Sequence, residues 1–191
     1  MNKNHSIEAE VNNLMSSVPR RFYVDEVYNT DQMHDVAVPI GCGVNTTKPK
    51  QIARMLSLLG KRGKVLEIGT GCGWQTALLS NLSDKVYSIE VSKRLYERAK
   101  FNLNGLNIAL KNDNGLNGWA DHALFDGIIV CAAIESVNDN LIMQLNDNGV
   151  IIAPIGNEKD QVLHRMTKKK NGLVVEKFEK CGFIAAERQG T

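Results

Sequence analysis

The segment Val65-Leu66-Glu67-Ile68-Gly69-Thr70-Gly71-Cys72-Gly73-Trp74-Gln75-Thr76 limits the fold of this chain more than any other. Apolar, β-compatible residues run into three glycines at alternate positions, and residues 75–82 then carry apolar side chains at helical spacing. That order predicts strand, tight turn and helix. Glycines let a ligand approach bare backbone, and the start of the next helix offers N–H groups without intrahelical partners. The spacing excludes a dinucleotide fingerprint, Gly-x-Gly-x-x-Gly: the third glycine comes one residue early, at Gly73, and Trp74 fills the place of close helix packing. Glu67, at the strand end, puts a carboxylate where a cationic ligand rather than a pyrophosphate would bind. S-adenosylmethionine, with its sulfonium and ammonium, has that character.

Residues 86–90 alternate as a second strand and end on Glu90, about 20 residues past the first glycine, where a Rossmann-type fold lets an acid accept from ribose hydroxyls. Glu67 and Glu90 around one glycine turn describe a nucleoside pocket.

The remaining elements fit the same plan. A helix is expected over residues 6–15, a break at Val18-Pro19, little regular structure over 25–33, and a glycine- and hydroxyl-rich loop over 38–49. Pro49 then starts a helix with Ile52, Met55, Leu56 and Leu59 on one face and Gly60 as its stop. Ser92 caps a helix running to Leu103; residues 108–111, 125–130 and 149–155 read as strands, and 137–145 as a helix. Residues 161–167 and 173–178 flank Asn171-Gly172, a hairpin signal. The expected fold is α/β: a doubly wound, Rossmann-like sheet, mostly parallel, with antiparallel C-terminal strands, compatible with the class I methyltransferase variant of that fold.

With 191 residues, 43% of them hydrophobic, the chain can bury one core unaided and is too short for two ordinary domains. A net charge of +2 provides no basic stripe, Lys168-Lys169-Lys170 reads as a solvated turn, and no nucleic-acid partner is expected. Cys42, Cys72, Cys131 and Cys181 show neither a Cys-x-x-Cys pair nor zinc spacing. They are expected to be reduced thiols of a cytoplasmic protein without a metal. No apolar run approaches the roughly 20 residues of a membrane span, so no membrane partner is expected.

Val18-Pro19-Arg20, Pro39-Ile40-Gly41, the threonine loop before Pro49, Val65 to Gln75, Val86 to Glu90, Gly118-Trp119, Phe125 to Val130 with Ala132-Ala133, and Pro154-Ile155-Gly156 together resemble protein-L-isoaspartate O-methyltransferase. Single motifs among these occur in many methyltransferases; the ordered set is far more specific. The resemblance implies a single methyltransferase domain over residues 1–191, with residues 1–60 as a helical and loop extension contributing to the active site. It implies transfer of methyl from S-adenosylmethionine to the carboxylate of L-isoaspartyl residues in damaged peptides and proteins, leaving S-adenosylhomocysteine, by a monomer.

Carried over by position, the resemblance places Glu67, Gly69, Thr70, Gly71, Gly73, Gln75, Glu90 and Val91 at the cofactor, with Asp113 and Asn114 near adenine. The family's Gly-Asp-Gly stands here as Asp113-Asn114-Gly115, so Asn114 replaces the expected acid. Thr46, Thr47, Lys48 and Ala132 fall at the substrate, with Thr47 as the catalytic hydroxyl in place of the family's serine. Lys48 replaces a neutral residue and is expected to face solvent. The family's Arg-Phe-Val-Pro-Leu becomes Gly182-Phe183-Ile184-Ala185-Ala186. A methyltransferase of this fold with another carboxylate or small-molecule acceptor, or a silent cofactor-binding homologue, would carry many of the same residues.

Overall fold

The computed structural model describes residues 3–28, 35–157 and 159–186. Five parallel strands form the centre: β3 (Arg62–Ile68), β4 (Ser83–Glu90), β5 (Ile108–Asn112), β6 (Phe125–Val130) and β7 (Leu145–Gly156). Two more, β8 (Gln161–Lys169) and β9 (Gly172–Cys181), continue the sheet antiparallel, in the order β5-β4-β3-β6-β7-β8-β9. The strand order reverses between β3 and β6, so the connections on either side leave a crevice at the carboxyl ends of these strands. The Asn171-Gly172 hairpin joins β8 to β9, with Lys169 opposite Gly172.

Burial explains why these segments are strands. Val65, Leu66, Ile68, Ile128, Ile129, Val130, Ile151 and Ile152 are all buried, the near-continuous apolar reading of strands covered on both faces. The helix α2 (Pro49–Leu59) turns Ile52, Met55, Leu56 and Leu59 into this core, each contributing roughly 1.5–3 kcal/mol by removal from water. Gly60, at φ +69°, ends it with an N–H bond to Leu56 O. Its start is capped by a residue outside the helix: Asp35 Oδ1 accepts the Lys50 N–H at 2.8 Å. The helix α1 (Lys3–Ser17), longer than expected at both ends, packs against α2 through the fully buried Val11.

Two expectations need correction. The loop over residues 38–49 contains a hairpin, β1 (Pro39–Gly41) with β2 (Val44–Asn45), turned by Cys42 and Gly43 in the left-handed region. Strands this short show no alternation to read. The helix expected over 137–145 shrinks to α5 (Asp139–Met143): Asn138 caps it by accepting the Leu141 N–H, and Leu145 already pairs with Phe125 as the first residue of β7. Of residues 25–33, Glu26–Tyr28 form a 3-10 turn and 29–33 lie outside the described residues.

The helices α3 (Trp74–Leu82) and α4 (Lys93–Asn102) are the crossovers from β3 to β4 and from β4 to β5, and the glycine turn leads into the first. Ser92 caps α4 by accepting the Leu95 N–H. Among the described residues no helix is long and apolar enough to cross a membrane.

Candidate active site

The carboxyl ends of β3, β4 and β6 open onto a cavity of about 580 Å³. Its walls combine the Gly69 to Cys72 turn, the Glu90 to Lys93 segment and Cys131 with Ile40, Cys42, Val44 and the Asn45 to Thr47 loop. The sheet supplies one side and the N-terminal hairpin the other.

The turn and the second acid form one unit. Gly69, Gly71 and Gly73 all have positive φ, a conformation that side chains disfavour. Glu90, 3% exposed, accepts the Gly71 N–H on Oε2 at 2.8 Å and the Ser92 N–H on Oε1 at 2.9 Å. Burial pushes its carboxyl above the ordinary range, and the N–H groups of Gly71, Ser92 and Val91 oppose that shift. Asn112 Nδ2 donates to the carbonyls of Glu90 and Val91 at 2.7 and 3.0 Å, fixing the strand end.

Glu67 does not line this cavity. It is fully buried beneath the turn, where Thr76 and Ser88 donate to its Oε2 at 2.5 and 2.6 Å, while Oε1 has no partner. The Ser88 hydroxyl, spent on Glu67, in turn accepts from Thr70 at 2.6 Å, so a chain of hydroxyls links the turn to the acid. Burial lifts the Glu67 carboxyl to about 7. It braces the turn from below instead of facing a cationic ligand. Gly73 is also behind the cavity wall: it starts α3, and a Cβ there would meet Leu103 at 3.0 Å.

Thr46 and Thr47 both line the cavity, but differently. Thr46 is buried and committed, accepting the Val38 N–H on Oγ1 at 3.1 Å and donating its own N–H to Val38 O. The Thr47 hydroxyl has no intramolecular partner among the described residues. Lys48 is exposed and faces a separate groove. Gln75 lines the cavity and donates Nε2 to Cys131 Sγ. Ala132 is 1% exposed and outside the lining, which Cys131 occupies instead. Burial raises the Cys131 thiol well above its ordinary value, so it is protonated and unreactive.

Asp113 and Asn114 lie outside the lining as well. The Asn114 side chain accepts the Leu116 N–H at 3.0 Å to cap the 3-10 turn Gly115–Asn117. Asp113 pairs with Lys111 Nζ at 2.6 Å, and that hydrogen bond holds its carboxyl below the ordinary value.

A profile of the family described as Protein-L-isoaspartate(D-aspartate) O-methyltransferase matches residues 1–190. The chain belongs to this family. A Pseudoalteromonas translucida protein-L-isoaspartate O-methyltransferase is 41% identical over 170 residues, covering 86% of this chain and 80% of its own. The one from Geobacter metallireducens is 40% identical over 176 residues, covering 89% and 82%. Among solved structures, the Plasmodium falciparum family member crystallised with S-adenosyl-L-homocysteine superposes with a TM-score of 0.78 at 23% identity, covering 98% of this chain and all of that one.

Family motifs outside the glycine turn acquire physical reasons here. Trp74 donates its indole N–H to Val18 O at 2.8 Å, and Arg20, buried, donates to Val36 O and lies 5.7 Å from the Trp74 ring centroid. Val18-Pro19-Arg20 therefore straps the N-terminal extension over the first turn of α3. Residues 161 and 183 are clasped reciprocally: Gln161 Nε2 donates to Phe183 O and the Phe183 N–H to Gln161 Oε1. Ile184 and Ala186 then bond to the Ala133 backbone, bringing the tail alongside Cys131.

Sequence reading missed Arg98. Its guanidinium donates to Ile40 O and Tyr23 O at 3.1 Å each and pairs with Asp25 at 3.0 Å, tying the cavity's N-terminal wall to α4. Nothing in the sequence marks it apart from any exposed helical arginine.

Proposed function

We propose that this protein esterifies the free α-carboxylate of L-isoaspartyl residues in damaged peptides and proteins, with S-adenosylmethionine as methyl donor and S-adenosylhomocysteine as second product. The observation that carries this reading is the convergence of the glycine turn, the buried Glu90 and the uncommitted Thr47 hydroxyl on one cavity, in a chain about 40% identical to named isoaspartyl methyltransferases.

The residues present fit the donor. Bare backbone over Gly69 to Gly71 and the buried acceptor Glu90 suit a ligand with hydroxyls and a cationic centre, and Gln75 and Val91 extend the same wall. When bound, S-adenosylmethionine supplies a methyl made electrophilic by its sulfonium. The Thr47 hydroxyl donates to the substrate carboxylate and orients it; a carboxylate of reference pKa about 4 is already ionised, so no general base is needed. Alignment inside a cavity walled by the hairpin then supplies most of the rate, since effective molarities of ~10⁵ M or more follow from positioning alone. The hairpin, tied through Ile40 to Arg98, which also holds Tyr23, forms one wall of that cavity.

Methylation removes the carboxylate charge. The backbone nitrogen that follows attacks the ester carbonyl, methanol leaves, and a succinimide forms that water reopens to aspartate or isoaspartate. Methanol appearing in step with loss of ester tests the repair reading; a persistent ester would contradict it.

The protein acts as one domain and as a monomer on peptides, not on nucleic acid or membranes, and in the cytoplasm. Four free thiols support a reducing compartment.

A further inference from the structure

Behind the Thr47 corner lies a second depression, a groove of about 410 Å³. It begins at Lys48, the residue after Thr47, runs along the outer side of α2 past Lys50 and Arg54, and is closed by Lys180 and the segment leading into the tail. Ile52 of the same helix faces the main cavity while its neighbour Gln51 lines the groove, so the two lie on different faces of the start of α2.

The groove is cationic. Lys48, Lys50, Arg54 and Lys180 line it with the carboxylates Asp35 and Glu179, and Arg54 and Lys180 also pair with Glu8 at 3.7 Å and Asp160 at 2.8 Å, so the positive charge without a carboxylate partner among the described residues sits on Lys48 and Lys50. Both acids are committed: Asp35 caps α2 through the Lys50 N–H, and Glu179 accepts from Arg54 Nε at 3.0 Å. Lys180 pairs with Asp160 at the rim, where both are well exposed. Among the described residues, Lys48 and Lys50 have no carboxylate partner, and both are exposed.

We propose that this groove receives the residues flanking the isoaspartyl group and selects peptides carrying acidic side chains beside the damaged position. The proposal rests on the function proposed above. A carboxylate held at Thr47 leaves the next residues of its chain ~3.5 Å apart along an extended path. Residues one or two positions away therefore lie over Lys48 and Lys50, well inside the screening length of about 10 Å. Lys48 thus acts on the substrate chain while its exposed ammonium stays outside the cavity that takes the sulfonium.

Three isoaspartyl peptides that differ only in flanking residues, two glutamates, two alanines or two lysines, separate the possibilities. The wild-type protein is expected to show kcat/KM about fivefold or more higher for the glutamate than for the lysine peptide at low salt, with the ratio shrinking towards one in about 0.5 M salt. Lys50→Glu should invert the order. Equal kcat/KM for all three, or a preference indifferent to salt, overturns the groove proposal and leaves isoaspartyl methylation standing. Methylation of none of the three overturns that reading and the groove proposal with it.

Discussion

Gly71 donates its backbone N–H to Glu90 Oε2 at 2.8 Å, so the turn after β3 and the acid ending β4 hold each other in place before any ligand arrives. Glu90→Ala removes this contact, the Ser92 contact and the buried acceptor together. Hydrogen bonds to charged groups contribute about 1.5–3 kcal/mol, so S-adenosylmethionine affinity should fall by roughly tenfold or more. Calorimetric titration reads this directly; an unchanged affinity would show that Glu90 holds the turn alone.

Glu67 titrates unusually. Burial lifts its folded carboxyl to about 7, against an ordinary 4.5, so between those values the folded protein keeps a proton that the unfolded chain has released. Stability from this group is complete below pH 4.5 and is lost as pH rises through about 7, by about 3 kcal/mol in all. Urea unfolding of wild type and Glu67→Gln at about pH 5 and pH 8 should show the variant losing less between the two. Parallel curves would refute the buried-proton account.

Much of this was legible in the chain. The glycine turn, the strand ending at Glu90, the apolar face of α2 and the Asn171-Gly172 hairpin are local patterns, and local chemistry decides them. The roles of Glu67, Asp113, Asn114 and Ala132 were not. Ala132 is adjacent in sequence to the cavity-lining Cys131, and Glu67 stands two residues before the lining Gly69 in a strand buried on both faces. Asn114 is drawn away by the local 3-10 cap, and Ala132 by its buried place next to the tail-paired Ala133. Arg98 acts across 58 and 75 residues of sequence separation, beyond any local pattern.

Asn114→Asp tests whether residue 114 meets the cofactor. Aspartate caps the Gly115–Asn117 turn as well as asparagine does, and the side chain lies off the cavity. Cofactor affinity should stay within about twofold of wild type. A much tighter complex would place residue 114 against the ligand after all.

Arg98→Met keeps the aliphatic stem and removes the contacts to Ile40, Tyr23 and Asp25. Loss of these should cost roughly 1–3 kcal/mol and raise amide exchange over residues 18–28 and 35–41, with the central strands unaffected. Uniform exchange changes would argue against a separately anchored wall.

Thr47 separates binding from chemistry. Thr47→Ala should lower kcat by about tenfold or more while S-adenosylmethionine affinity holds, and Thr47→Ser should restore most of the rate. Equal activity in all three would remove the hydroxyl from the reaction.

The most direct test of the whole account is transfer of labelled methyl from S-adenosylmethionine to two peptides identical except for one residue, L-isoaspartate in the first and ordinary L-aspartate in the second. Label in the isoaspartyl peptide alone is the predicted result. Label in neither, or equally in both, would contradict it.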